Sequence, residues 1–248
     1  HLTAPQQRAL EQDLELAARI QAALLPCSDI ACGGWNATYH YQAAGPVSGD
    51  YCDLIPAEDG SLYFMLGDVS GKGVAASMLM AHLHAMIRAL AGPGIPPQDI
   101  VRRTSRLFCE NTLADQYATL VCGRAHKNGS VELCNAGHLP SLIVQKGGVR
   151  SVDSTGLPMG LFCSQEFSMV RIRLDRGDRI VLFTDGLTES LNPRQEELGV
   201  APLIRMMQAS PALPAKETLR SCLSLASAFR AGEPVRDDLT LMVLERME

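Results

Sequence analysis

The sequence predicts an α+β fold in which antiparallel sheets pack together and helices cover the outside. Three observations carry that reading. Strand-like runs come in groups, in the order strands, helix pair, strands, helix pair, last strand. Turn signals at Asp59-Gly60, Asn128-Gly129 and Gly147-Gly148 stand where hairpins should close. No composition break, repeat or low-complexity segment interrupts residues 36–246, so one domain, 27–248, is expected behind an N-terminal linker helix, 1–26.

The elements follow in order. Pro5–Leu25 reads as one helix, ended by Pro26. Leu10, Leu14, Ala17, Gln21 and Leu24 alternate at spacings of four and three, the seam of a short coiled coil. A second stripe, Leu16 and Ile20, is left to face the domain. Two readings stand: a helix packed on its own core, or a dimerising, signal-carrying stalk of a longer protein. Ala37–Ala44, Tyr51–Pro56 and Leu62–Leu66 read as strands. Val74–Leu90 is a helix apolar almost all round and is expected to be deeply buried. Gly92–Pro97 breaks it, and Asp99–Ala114 forms its antiparallel partner. Strands are expected at Tyr117–Ala125, Val131–Asn135, Ser141–Gln145, Val149–Val152, Ser168–Leu174 and Arg179–Thr184. Helices at Arg194–Gln208 and Ala215–Arg230 precede a final strand from Leu239.

Composition narrows the function. A net charge of −5 argues against nucleic acid as a partner. No uninterrupted apolar run approaches the ~18–20 residues that cross a bilayer, no signal peptide is visible, and a cytoplasmic location is expected. The eight cysteines contain no Cys-x-x-Cys, and reduced, mostly buried thiols are expected.

The chemistry is carried by aspartates at strand ends. Asp68 follows the apolar strand Leu62–Leu66 at a glycine-bracketed turn. Asp50 stands in Val47-Ser-Gly-Asp-Tyr-Cys-Asp53, Asp185 ends Ile180-Val-Leu-Phe-Thr-Asp-Gly186, and Asp237 and Asp238 open the last strand. Each singly is most often a turn former or helix cap. The gaps of 18, 117 and 52 residues mean that only a folded core could assemble all four places. Assembled, they would repel unless cations intervened. An all-oxygen set suits Mg²⁺ or Mn²⁺ and disfavours zinc. Two such ions ~3.5–4 Å apart can activate a water and clamp a phosphoryl group, which makes phosphate-ester hydrolysis the natural reaction.

Other motifs are weaker. Gly71-Lys-Gly-Val-Ala-Ala76 imitates a dinucleotide fingerprint, but no acidic residue occurs between Asp68 and Asp99 to hold a ribose. His82 and His84 are two apart on a helix, share no face, and read as packing residues. Asn135-Ala-Gly-His138 reads either as a structural turn with His138 bonded to backbone or as a neighbour of the metals. Gly156-Leu-Pro-Met-Gly160 reads equally as a lid or a plain loop.

Taken together, Ser48-Gly-Asp50-Tyr-Cys-Asp53, Gly67-Asp-Val-Ser-Gly-Lys-Gly73, Asn135-Ala-Gly-His138, Thr184-Asp-Gly186 and Asp237-Asp-Leu-Thr240 resemble the ordered motifs of the SpoIIE/RsbU-like branch of PPM-type serine/threonine phosphatases. Ala18-Arg-Ile-Gln-Ala-Ala-Leu-Leu-Pro26 resembles the linker helix before such domains. The resemblance implies a four-layer α-β-β-α sandwich with two Mn²⁺ or Mg²⁺ ions at one edge. By position, Asp68 would bridge both metals, and the Val69 carbonyl and Asp50 would hold one. Asp185 and Asp237 would hold the other. Asp53, Ser70, Lys72, His138, Gly186 and Asp238 would stand around them; Lys72 reads equally as a substitute for the phosphate-binding arginine of animal members or as a side chain facing solvent. The substrate implied is a phosphorylated protein, commonly a STAS-type anti-sigma-factor antagonist. The chain would be the output end of a bacterial sensor or response regulator, with an upstream sensor or receiver domain and homodimerisation through the N-terminal helix. The alternative is a catalytically silent sensor or dimerisation module that keeps the fold.

Overall fold

Two antiparallel sheets lie face to face in the computed structural model, which describes residues 3–248. The chain runs α1 (Ala4–Leu24), β1 (Asp29–Cys32), β2 (Trp35–Gln42), β3 (Asp50–Pro56), β4 (Leu62–Val69), α2 (Gly73–Leu90), α3 (Pro97–Asn111), β5 (Ala118–Ala125), β6 (Ser130–Ala136), β7 (Ser141–Gln145) and β8 (Gly148–Val152). It continues through β9 (Val170–Arg173), β10 (Arg179–Phe183), α4 (Asp185–Thr188), α5 (Ala201–Ala209), α6 (Ala215–Arg230) and β11 (Leu239–Arg246). One sheet has the order β1-β2-β11-β10-β7-β8, the other β3-β4-β5-β6-β9.

Period-two burial explains the layers. In β4, Leu62, Phe64 and Leu66 point between the sheets, where they meet Leu54, Val121, Ile143, Ile180, Met242 and Leu244. Tyr63 and Met65 point the other way and pack under α2 and α3 with Met80, Leu83, Ile100 and Phe108. Leu142, Val181, Phe183, Leu241 and Val243 form the third core, under α5 and α6. The result is the expected α-β-β-α order.

Several expectations need correction. The coiled-coil seam of α1 turns inward at its end: Gln21 is buried, donating from Nε2 to Ser48 O at 2.7 Å and accepting from Ser48 N at 2.9 Å. The stripe expected to face the domain is exposed, with Leu16 52% and Ile20 59% accessible, and so is Leu10 at the start of the seam. A buried glutamine is tolerated there because it closes two backbone bonds, which sequence spacing does not reveal. Helix α2 is only half sunk. Its composition and length would allow a membrane span, yet Met80, Leu83 and Ile87 are buried against the sheet while Met78 is 69% exposed. Strand β1 is an addition, paired with β2 from Asp29↔Thr38 to Cys32↔Trp35.

The helix expected at Arg194–Gln208 starts only at Ala201. The Asn192 side chain accepts from the backbone of Arg194 and Glu196, and Leu191 bridges Glu197, so those groups are spent on a turn. The cysteines are not all reduced: Cys109 and Cys163 form a disulfide with Cα atoms 5.3 Å apart. Cys52, Cys122, Cys134 and Cys222 are buried free thiols as expected, and Cys27 is exposed. His82 stacks on Phe108 and His84 meets Tyr51 edge-on, both as packing groups.

Candidate active site

Register places the first two aspartates side by side. In the β3–β4 ladder Asp50 pairs directly with Asp68. Asp68 then leaves the sheet into the turn Ser70–Lys72, where Gly71 and Gly73 adopt φ of 97° and 69°, a backbone other residues resist. Asp185 opens α4 at the end of β10, and Asp237 and Asp238 lead into β11, its sheet neighbour. A cleft of about 360 Å³ at this edge of the sandwich is lined by Asp68, Val69, Lys72, Asp185, Asp237 and Asp238, with Ser70 and His138 also on its wall.

Asp50 lies just behind the cleft wall, buried. Its Oδ2 accepts from Thr184 Oγ1 at 2.9 Å and Thr240 Oγ1 at 2.6 Å. These threonines sit beside Asp185 and Asp238, so one carboxylate fastens three of the motifs across the two sheets. Burial raises its pKa well above the carboxylate range, Thr240 and Thr184 oppose that, and the Asp68 and Asp238 charges add to it. Asp68 is pushed up to about 7, by burial first and then by Asp185, Asp237 and Asp238. Asp185 is raised by burial and by Asp237. The negative charge is thus concentrated and poorly compensated.

Lys72 is the cation on the cleft wall among the described residues. Its Nζ lies 2.6 Å from Asp237 Oδ2, and the side chain is 73% exposed. That bond raises the Lys72 pKa. Asp238 is committed to backbone: it accepts from Ala44 N and Gly49 N, each at 2.8 Å. Gly186 is required by close approach, because a Cβ there would lie 2.0 Å from the Asp238 carbonyl oxygen.

His138 is bonded to backbone, as one reading of its motif expects, and also stands on the cleft wall. Its Nε2 donates to Phe183 O at 3.1 Å and Nδ1 accepts from Thr119 Oγ1 at 2.8 Å. Burial lowers its pKa to about 4, so the ring is neutral and both nitrogens are in use. Ser70 Oγ accepts from Tyr117 N at 3.0 Å and holds the opposite rim. The 156–160 segment stands beside the cleft as a pinned loop: Met159 exchanges two backbone bonds with Ala118.

Asp53 does not join the site. It lies three residues beyond Asp50, an odd spacing that turns its side chain to the opposite face of β3. There Arg88 binds it through two nitrogens, at 2.7 and 2.6 Å, and Tyr51 donates to it. Sequence reasoning also missed Glu189, Thr119, Thr184 and Thr240. Glu189 lines the cleft and its carboxyl is raised by burial and by Asp185. Its signal was available, four residues after Asp185 on one helical face.

Among the described residues no three His, Cys, Asp or Glu side chains form a ready cluster around one point. The donor chemistry nonetheless fits hard divalent cations. The carboxylates sharing the cleft are all oxygen donors, and their mutual repulsion is what a cation would relieve.

Comparison with known proteins gives a consistent result. The family model described as Stage II sporulation protein E (SpoIIE) matches residues 58–247. Protein IcfG of Synechocystis is 27% identical over 227 residues, covering 80% of this chain and 36% of its own length. Phosphoserine phosphatase RsbU of Bacillus subtilis is 26% identical over 245 residues, covering 97% of this chain and 72% of its own. The chain therefore spans about a third of one relative and most of the other. Among solved structures, the SiaA-PP2C domain of Pseudomonas aeruginosa superposes with a TM-score of 0.85 at 17% identity, covering all of both chains. The RsbU and RsbW domains of Rv1364c from Mycobacterium tuberculosis give 0.74 at 25% identity, over 90% of this chain and 62% of that one.

Proposed function

The chain belongs to the SpoIIE family, and from that membership we propose that it is a protein phosphatase that hydrolyses phosphoserine or phosphothreonine using two Mn²⁺ or Mg²⁺ ions. The observation that carries the reading is the meeting of Asp68, Asp185 and Asp237, remote in sequence, on one cleft wall. Bound there, the ions would lower the pKa of a water and offset phosphoryl charge. Asp68, Asp185, Asp237 and the Val69 carbonyl are the groups that would hold them. Asp50 acts through its threonine bonds, fixing the ends of β10 and β11 against β3. Lys72, released from Asp237 once cations neutralise it, is long and exposed enough to reach a phosphoryl oxygen. His138 orients the Phe183 carbonyl and supplies no proton, because neither ring nitrogen is spare.

The substrate we propose is a phosphorylated STAS-type antagonist, a choice supported by the similarity to RsbU. The domain would be the cytoplasmic output of a bacterial signalling protein, with a sensor or receiver upstream of α1. Homodimerisation would use the exposed Leu16 and Ile20 together with Leu10 from the first part of the seam.

The test is hydrolysis of a chromogenic phosphate ester and of a phosphorylated STAS domain, with EDTA, Mg²⁺ or Mn²⁺. Activity should vanish in EDTA and return with metal, and Asp68→Asn should abolish it while leaving the melting curve intact. Undiminished turnover in EDTA would sink the metal mechanism. A folded protein that binds Mn²⁺ but turns over neither substrate would favour the silent module.

A further inference from the structure

Cys109 and Cys163 belong neither to the cleft nor to the three cores. Cys109 lies in the last turn of α3, half-buried. Cys163 lies on the exposed turn 161–166. The disulfide joins positions 54 residues apart. Both residues line an open groove, with Arg102, Arg106 and Glu110 on the α3 side and Phe162 and Glu166 on the other. Small or protein thiols can therefore reach the bond from solvent at the exposed Cys163.

The turn has few other fastenings. Gln165 N donates to Phe162 O at 3.4 Å within the turn, and Gln165 Nε2 donates to Leu157 O at 2.9 Å in the loop just before it; neither reaches α3. Leu161 and Phe162 are exposed and belong to no buried core. Directly before the turn, however, the chain is stitched to the cleft's supports. Met159 N donates to Ala118 O at 2.8 Å and Ala118 N donates to Met159 O at 3.0 Å. Gly160 N donates to Ser105 Oγ on α3 at 3.3 Å. Ala118 precedes Thr119, the residue that holds His138, and Pro158 packs on Gly137.

We propose that Cys109 and Cys163 form a reversible redox clasp, opened by a dithiol reductant, that fastens the 161–166 turn to α3 and steadies the Met159–Ala118 bridge beside the cleft. Opening consumes two thiols: the protein disulfide is reduced to two cysteine thiols while the dithiol is oxidised to its own disulfide. Closing is the reverse reaction with a disulfide oxidant such as oxidised glutathione. The clasp adds a modification site to the domain and stands independently of the catalytic reading.

The experiment uses the whole chain, treated with dithiothreitol or oxidised glutathione and then alkylated in denaturant. The oxidised form should carry six alkyl groups and the reduced form eight. Peptide mapping should place the difference at Cys109 and Cys163, and re-oxidation should restore it. Hydrogen exchange should show the Ala118 and Met159 amides exchanging roughly tenfold faster in the reduced protein. Cys163→Ser should match the reduced form and ignore the oxidant. Eight alkylated cysteines under every glutathione ratio, or a bond mapped to another pair, would overturn the proposal. So would a confirmed bond whose reduction leaves both amides unchanged, a readout that needs no variant to fold.

Discussion

Replacing Gly186 by alanine should separate the segments that carry Asp185 and Asp237 without unfolding the domain. The added Cβ would stand 2.0 Å from the Asp238 carbonyl oxygen, 2.8 Å from its carbon and 3.2 Å from the Asp237 carbonyl oxygen. All three are backbone atoms, so no side chain can swing aside. The closest contact must open to at least 3.0 Å, a displacement of about 1 Å between the start of α4 and the segment entering β11. Asp185 rides on the first and Asp237 on the second. Misplacing catalytic groups by ~1 Å costs on the order of 100-fold in rate, or about 3 kcal/mol of barrier. The fold should lose less, about 1–3 kcal/mol for local overpacking. The assay is kcat/KM on the chromogenic ester across an Mn²⁺ titration, with thermal melts alongside. Gly147→Ala is the control, since its Cβ would meet nothing within 4 Å. Gly186→Ala with wild-type kcat/KM and an unchanged Mn²⁺ midpoint would refute the reasoning.

Other residues give independent expectations. Thr240→Val removes a 2.6 Å bond to a buried carboxylate and should cost about 1.5–3 kcal/mol in urea unfolding; Thr240→Ser should recover most of it, and equal losses for both would point to packing instead. Arg88→Met strands Asp53, which is fully buried, and should destabilise by about 3 kcal/mol. Asp53→Asn in that background should restore part of the loss, and additive losses would show that the pair is not coupled. His138 refuses a proton that the unfolded chain accepts, because its pKa falls from 6.5 to about 4. Its contribution is complete above about pH 6.5 and is lost as pH drops toward 4, about 3 kcal/mol in all. Urea midpoints at pH 7 and 4.5 should therefore converge in His138→Gln relative to the parent, and parallel pH slopes would count against that assignment.

The parts legible in the sequence were those written in local periodicity. Unbroken apolar runs at Leu62–Leu66 and Ile180–Phe183 announce core strands, and an aspartate two residues after each marks the edge where a site can form. Even the exclusion of Asp53 was available, since three residues along a strand reverse the face. The tertiary structure alone decided what depends on contacts between distant segments. Asp50 meets Thr184 and Thr240 across separations of 134 and 190 residues, and nothing local in any of those stretches selects its partner. The inward turn of Gln21, the bond from Cys109 to Cys163 and the fit of Gly186 against Asp238 are of the same kind. Local pattern sets which face of an element is apolar; which elements touch is settled only when whole layers compete to bury those faces.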